Sequence, residues 1–211
     1  MDAIIFDVDG TLWDSTPQVA IAWQMIAKNC KVPYEHITPE RLHREFGKMM
    51  KDIAYSIFPD LSKEDALGVL KECMDYEVAY LLSHPPLPYD GVEQVFKYFS
   101  RKMPLFIVSN CQAGYIETFL ETSGLDEYIT FHLCPDDTGL NKAKNIKKIV
   151  DDFDLHSAVY VGDTMGDYNS ANEAGVDFIY AKYGFGDVPD AAETIFKPRD
   201  LIRIYEESER D

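Results

Sequence analysis

The sequence predicts an α/β fold, with a parallel sheet core covered on both faces by helices and an all-helical module inserted after the first strand. Three observations predict it. Apolar runs of strand length recur along the chain, helical periodicity separates them, and residues 15–83 carry helical periodicity alone. Runs unbroken by polar residues are what strands buried on both faces look like, and their alternation with helices favours parallel pairing.

Ala3–Val8 reads as the first buried strand. The rhythm then breaks. Thr16-Pro17 reads as an N-cap followed by Pro at the first helical position, with Val19, Ala22, Trp23 and Ile26 at helical spacing behind it. Thr38-Pro39 repeats the start signal, and Leu42 and Phe46 follow. Met50, Ile53, Ala54 and Ile57 mark another helix, ending near Pro59. Ser62 opens a longer one whose apolar face is read as Leu67, Leu70, Met74, Val78 and Leu81, and Pro85-Pro86 stops it. The core therefore comprises residues 1–14 and 84–211, and the helical module is 15–83.

After the module the alternation resumes. Val92, Val95, Phe96 and Phe99 share one helical face, and Pro104–Val108 reads as the second strand. Ile116, Phe119 and Leu120 mark a helix ended by Gly124, and Thr130–Cys134 is the third strand. Ile146, Ile149, Val150 and Phe153 mark the next helix, and Ala158–Val161 and Asp177–Tyr180 are the fourth and fifth strands. Ligands bind at the carboxyl ends of strands in such sheets, so a module inserted there is expected to cover the site.

Composition narrows the function. At about 150 residues per domain, 211 residues make one core with a sizeable insertion. Apolar residues make up 46% of the chain, enough for a packed core, and no apolar run approaches the ~20 residues a membrane span needs. There are 37 acidic against 20 basic residues, a net charge of −17, which repels nucleic acid and anionic lipid. Cys30, Cys73, Cys111 and Cys134 lie far apart without a CxxC pair, so neither a zinc site nor a disulfide framework is expected. The start has no signal-peptide pattern, and the expected location is the cytoplasm. A small anion would need a local cation or aimed N–H groups to bind such a chain.

Three strand-end features carry the chemistry. The first strand runs into Asp7-Val8-Asp9-Gly10-Thr11. Residues two apart on an extended strand share a face only if the chain stays regular, and Gly10 allows the turn that aims both carboxylates at one site. The fourth strand runs into Gly162-Asp163-Thr164-Met165-Gly166-Asp167, with two further carboxylates at the start of a helix. Asp163 could be no more than a helix cap, but a second acidic motif on the same rim favours a hard cation such as Mg²⁺. The second strand ends Val108-Ser109-Asn110, a hydroxyl, an amide and backbone N–H groups able to hold phosphate oxygens.

A phosphate among carboxylates needs a lysine, and Lys142 and Lys144 compete. At about 100° per residue, Lys142 falls within about 40° of Ile146, Ile149 and Phe153, on the inward stripe. Lys144 lies about 160° or more from them and should face solvent with Lys147 and Lys148. Lys142 is therefore the expected site lysine.

With these elements in order, the chain resembles the haloacid dehalogenase-like (HAD) hydrolase superfamily, in particular its phosphoglycolate phosphatase-like subgroup. Asp7–Thr11 matches the first motif, Val108–Asn110 the second, Lys142 the third and Gly162–Asp167 the fourth, and Leu87–Val92 resembles the segment that re-enters the core. Ala143 stands where the family often has Pro. The resemblance implies a Rossmann-like core with a C1-type helical cap. It implies that Asp7 attacks phosphorus to give an aspartyl-phosphate, and that Asp9 acts as general acid and then base. Mg²⁺ would be held by Asp7, the Asp9 carbonyl and Asp163, with Asp167 behind. Ser109, Asn110 and Lys142 would hold the phosphoryl oxygens. The implied reaction is Mg²⁺-dependent hydrolysis of a small phosphorylated metabolite by a monomer or weak homodimer. A phosphomutase of the β-phosphoglucomutase type shares the motifs, and a non-catalytic binding or regulatory protein shares the fold. Gly47 and Lys48, between two cap helices and near Arg44, are candidate specificity residues.

Overall fold

The structure is a computed structural model, and it describes residues 1–209. Six strands form one parallel sheet in the order β3-β2-β1-β4-β5-β6. The elements run β1 (Ala3–Phe6), α1 (Thr16–Asn29), α2 (Pro39–His43), α3 (Met50–Ile57), α4 (Lys63–Ser83), α5 (Val92–Phe99), β2 (Leu105–Val108) and α6 (Tyr115–Ser123). They continue with β3 (Phe131–Leu133), α7 (Pro135–Thr138), α8 (Lys142–Asp152), β4 (Ala158–Gly162), α9 (Met165–Ala174), β5 (Asp177–Ala181), β6 (Glu193–Ile195) and α10 (Asp200–Ser208).

Strand alternation divides the core. Ile4, Phe6, Leu105, Ile107, Val159 and Val161 point to one face, where α5, α6 and α10 cover them. Ala3, Ile5, Phe106, Val108 and Tyr160 point to the other, against α8 and α9. β1 lies at the centre, and order reverses around it: β2 and β3 follow on one side, β4 to β6 on the other. Phe6 is in register with Ile107 and with Val161, so the three central strands end side by side. That reversal opens a crevice at the carboxyl ends of β1 and β4.

Helices α1–α4 are inserted in the chain between β1 and α5. Their apolar residues, Trp23, Leu42, Ile53 and Leu70 among them, continue without a break into the cluster on the first sheet face.

Several sequence expectations need correction. β1 ends at Phe6 rather than Val8, because the chain turns at once: Thr11 N, Leu12 N and Trp13 N all reach the Val8 carbonyl. Ser15 takes the N-cap position of α1 without a side-chain cap, Thr16 is already helical, and its N–H donates to Asp14 Oδ1 (3.0 Å). The buried stripe of α4 is Ala66, Leu70, Cys73, Glu77 and Leu81, whereas Leu67 is exposed. An all-apolar stripe was expected there, and the structure instead places a carboxylate in it. Phe153 ends α8 partly exposed. β6 was not expected; it is three residues long, on the sheet edge, with Ile195 alone buried. No described helix is long and apolar enough to cross a membrane, and all four cysteines are free thiols.

Candidate active site

Asp7 leaves β1 with its N–H still bonded to the Val161 carbonyl (2.9 Å), which fixes it beside the end of β4. Its side chain is 2% exposed. Asp163 follows β4 and is fully buried, its Oδ2 accepting from Phe185 N (2.7 Å). Gly10 makes that approach possible. Its φ is +78°, and a Cβ there would lie 2.1 Å from Asp163 Oδ2. Gly184 presses on Asp163 from the other side, where a Cβ would be 2.4 Å from the Asp163 Cβ. The loop after β5 thus completes the site, a contribution that no motif at the sequence level signalled.

Lys142, the first residue of α8, donates to Asp7 Oδ1 (2.9 Å) and Asp167 Oδ1 (2.6 Å) while only 2% exposed. Lys144, two residues on and on the opposite face of the helix, is exposed. Burial works against the Lys142 charge, but Asp167 and Asp7 outweigh it and hold the ammonium above its ordinary value. Asp167 is fully engaged: its Oδ2 accepts from Asp163 N, Thr164 N (2.9 Å) and Thr164 Oγ1 (2.7 Å). Thr164, not Asp163, is the cap of α9, and Asp167 closes the capping box. Asp163 is thereby free of capping duty.

Oxygens of Asp7, Asp163 and Asp167 lie within 4.8 Å of one another. Asp163 Oδ1 is buried without any hydrogen-bond donor. An orphaned carboxylate oxygen beside two further carboxylates is a donor set suited to a hard divalent cation. Burial, and after it the charges of Asp167 and Asp7, push the Asp163 carboxyl up. Burial likewise lifts Asp7 to about 6, against the pull of Lys142. Both are carboxyls short of positive charge.

Asp9 Oδ1 accepts from Tyr115 OH (2.6 Å), Ser15 Oγ (2.9 Å) and Trp13 Nε1 (3.2 Å). Burial raises Asp9 to about 7 despite the Tyr115 hydrogen bond. Tyr115 was not legible as a partner in the sequence, because it sits 106 positions away; Trp13 and Ser15 are local, 4 and 6 residues on, and were not singled out. Ser109 is 5% exposed at the end of β2 and lines the same pocket. Asn110 is there too, but its Nδ2 donates to the Gly47 carbonyl (2.8 Å), tying the β2 end to the helical insertion.

The pocket lies between the strand ends and the insertion. Gly47 and Lys48 line it, and Lys48 Nζ is 2.8 Å from Glu45 Oε2, so it arrives already paired. Arg44 is exposed and borders an outer groove with Thr164 and Phe185. Glu77 and Gln112, neither of them singled out from sequence, face the pocket opposite the Asp7 end. Glu77 was recoverable from its spacing with Leu70, Cys73 and Leu81.

The haloacid dehalogenase-like hydrolase family model matches residues 4–181, from β1 to the end of β5. The chain belongs to this family. It is 25% identical over 216 residues to a phosphoglycolate phosphatase of Aquifex aeolicus, covering 98% of this chain and 97% of the relative. It is 23% identical to an N-acetylmuramic acid 6-phosphate phosphatase of Pseudomonas aeruginosa, covering 98% and 95%. Its fold matches a haloacid dehalogenase-like hydrolase from Streptococcus pneumoniae with a TM-score of 0.85 at 19% identity, over 97% of this chain and 98% of that one. The fold over nearly the whole chain is thus shared with that hydrolase.

Proposed function

We propose that the chain is a phosphatase that hydrolyses a small phosphate monoester through an aspartyl-phosphate on Asp7, with Mg²⁺ as its metal. The observation that carries this reading is the meeting of Asp7, Lys142 and an unpartnered Asp163 oxygen at adjacent strand ends. The names of the relatives, both phosphatases, support it.

In this reading Asp7 Oδ2 attacks phosphorus, and the bond from phosphorus to the ester oxygen breaks. Asp9 donates a proton to the departing alcohol. It then takes one from water, which attacks the aspartyl-phosphate and releases inorganic phosphate and the Asp7 carboxylate. Tyr115, Ser15 and Trp13 hold Asp9 in place for both steps. Ser109 and Lys142 hold phosphoryl oxygens, and Asn110 joins them by exchanging its Gly47 carbonyl for the substrate. Mg²⁺, bound by Asp7, the Asp9 carbonyl and Asp163, would neutralise charge on the transferring group. Residues 15–83 act as a cap over the pocket. Phosphate release from a panel of phosphate monoesters, measured with Mg²⁺ and after exhaustive chelation, tests the reading; full activity without metal would remove the metal from it.

A further inference from the structure

Glu77 is the feature of this pocket that the proposed reaction does not use. It lies on the buried stripe of α4, 2% exposed, where a helix built for packing alone would carry an apolar residue. Its Oε1 accepts from Gln112 Nε2 (3.1 Å) and its Oε2 from the Trp23 indole N–H. Both donors are neutral. A carboxylate offers about four acceptor positions, so two are left over, and a buried charge without a cation is costly. Burial pushes Glu77 up to about 8, in keeping with that lack: without a cation beside it the group keeps its proton, which an ammonium seated there would displace to solvent.

The surroundings say what would satisfy it. Glu77 lines the same pocket as Asp7 and Asp9, so the alcohol part of a phosphate ester seated on Asp7 extends toward it. Trp23, Phe46 and Tyr115 supply aromatic walls, which favour cations. Among the described lining residues Lys48 is the one cation, and it is held at Glu45, which also pairs with Arg41. A substrate carboxylate beside Glu77 would face two acidic groups, Glu77 and Asp9.

We propose that Glu77 selects phosphate monoesters whose alcohol carries a hydrogen-bond donor, an ammonium above a hydroxyl, and rejects esters of hydroxy acids. This rests on the phosphatase reading above. It sets this chain apart from the relative named for phosphoglycolate, whose substrate bears a carboxylate.

The test uses esters of matched length: 2-aminoethyl phosphate, 2-hydroxyethyl phosphate, propyl phosphate and phosphoglycolate, with the series one carbon longer alongside. The wild-type protein should show kcat/KM for the amino ester about tenfold or more above the propyl ester, with the hydroxy ester between them and the carboxylate ester lowest. Glu77→Gln should lower the amino-to-propyl ratio about tenfold and raise the carboxylate ester relative to propyl. Ratios within one protein cancel differences in folded fraction, and comparing those ratios between wild type and variant cancels intrinsic ester reactivity. If the variant does not fold, the wild-type order decides. A wild-type preference for the carboxylate ester, or ratios unmoved by Glu77→Gln, overturns the proposal while leaving the phosphatase reading intact. No phosphate release from any of these esters or from p-nitrophenyl phosphate overturns that reading, and the selection by Glu77 with it.

Discussion

Lys142 Nζ and Asp7 Oδ1 meet at 2.9 Å across 135 positions of chain, both side chains 2% exposed. A lone buried ammonium or carboxylate would be strongly disfavoured, and the pair is held by Asp167 on the far side of the lysine. Removing Lys142 therefore leaves carboxylates facing one another. Lys142→Ala should lower kcat by two or more orders of magnitude, roughly the ~3 kcal/mol lost with one preorganised stabilising group. Lys144→Ala, on the exposed face of the same helix, should change activity and stability little. Both are read on one substrate at saturating Mg²⁺.

Gly10→Ala should be damaging out of proportion to one methyl group. The new Cβ would stand 2.1 Å from Asp163 Oδ2 at a φ of +78°. Asp163 must move, and the metal site moves with it. The expected outcome is a lower melting temperature together with an Mg²⁺ affinity reduced about tenfold or more; titration of the folded variant with Mg²⁺ checks it.

Glu77 gives a pH signature to stability. Its carboxyl is raised by burial from 4.5 in the unfolded chain to about 8 in the folded one. Between those values the folded chain holds a proton that the unfolded chain releases. Stability of the metal-free protein should thus be greatest at low pH and fall as pH rises through this window, by up to ~1.4 kcal/mol per pH unit from this group. Asp7 and Asp9, also raised, act with the same sign. Urea unfolding at pH 5 and pH 8 should show a smaller difference for Glu77→Gln than for wild type.

Much of this was legible in the chain because it is local. Strand-length apolar runs, Gly124 as a helix end and the phase of α8 all depend on near neighbours, and β1, β2, β4 and β5 sit where the runs sit. The acidic strand ends were legible because a carboxylate after an apolar strand needs a reason to be there. What stayed hidden is long-range. Tyr115 reaches Asp9 only because α6 packs over β1, and Phe185 reaches Asp163 only through the loop after β5. β6 is too short for its pattern to rise above that of a loop. Glu77 was passed over because Leu67, Met74 and Val78 suggested a neighbouring face for α4, although the spacing of Leu70, Cys73 and Leu81 includes it.

Metal identity is expected to matter. The oxygen donors grouped around Asp163 are few, which suits Mg²⁺ with its near-octahedral shell at ~2.0–2.1 Å better than Ca²⁺ with 6–8 ligands. Activity restored to a chelated sample should be high with Mg²⁺ and low with Ca²⁺ in phosphate-release assays.

The central claim is that Asp7 is the nucleophile. Phosphate release by purified Asp7→Asn at saturating Mg²⁺, with circular dichroism and melting temperature recorded on the same sample, tests it most directly. An amide neither attacks phosphorus effectively nor supplies a carboxylate to the metal. The expected result is a folded protein with turnover at background. A folded Asp7→Asn protein that still releases phosphate at a substantial fraction of the wild-type rate would contradict the account.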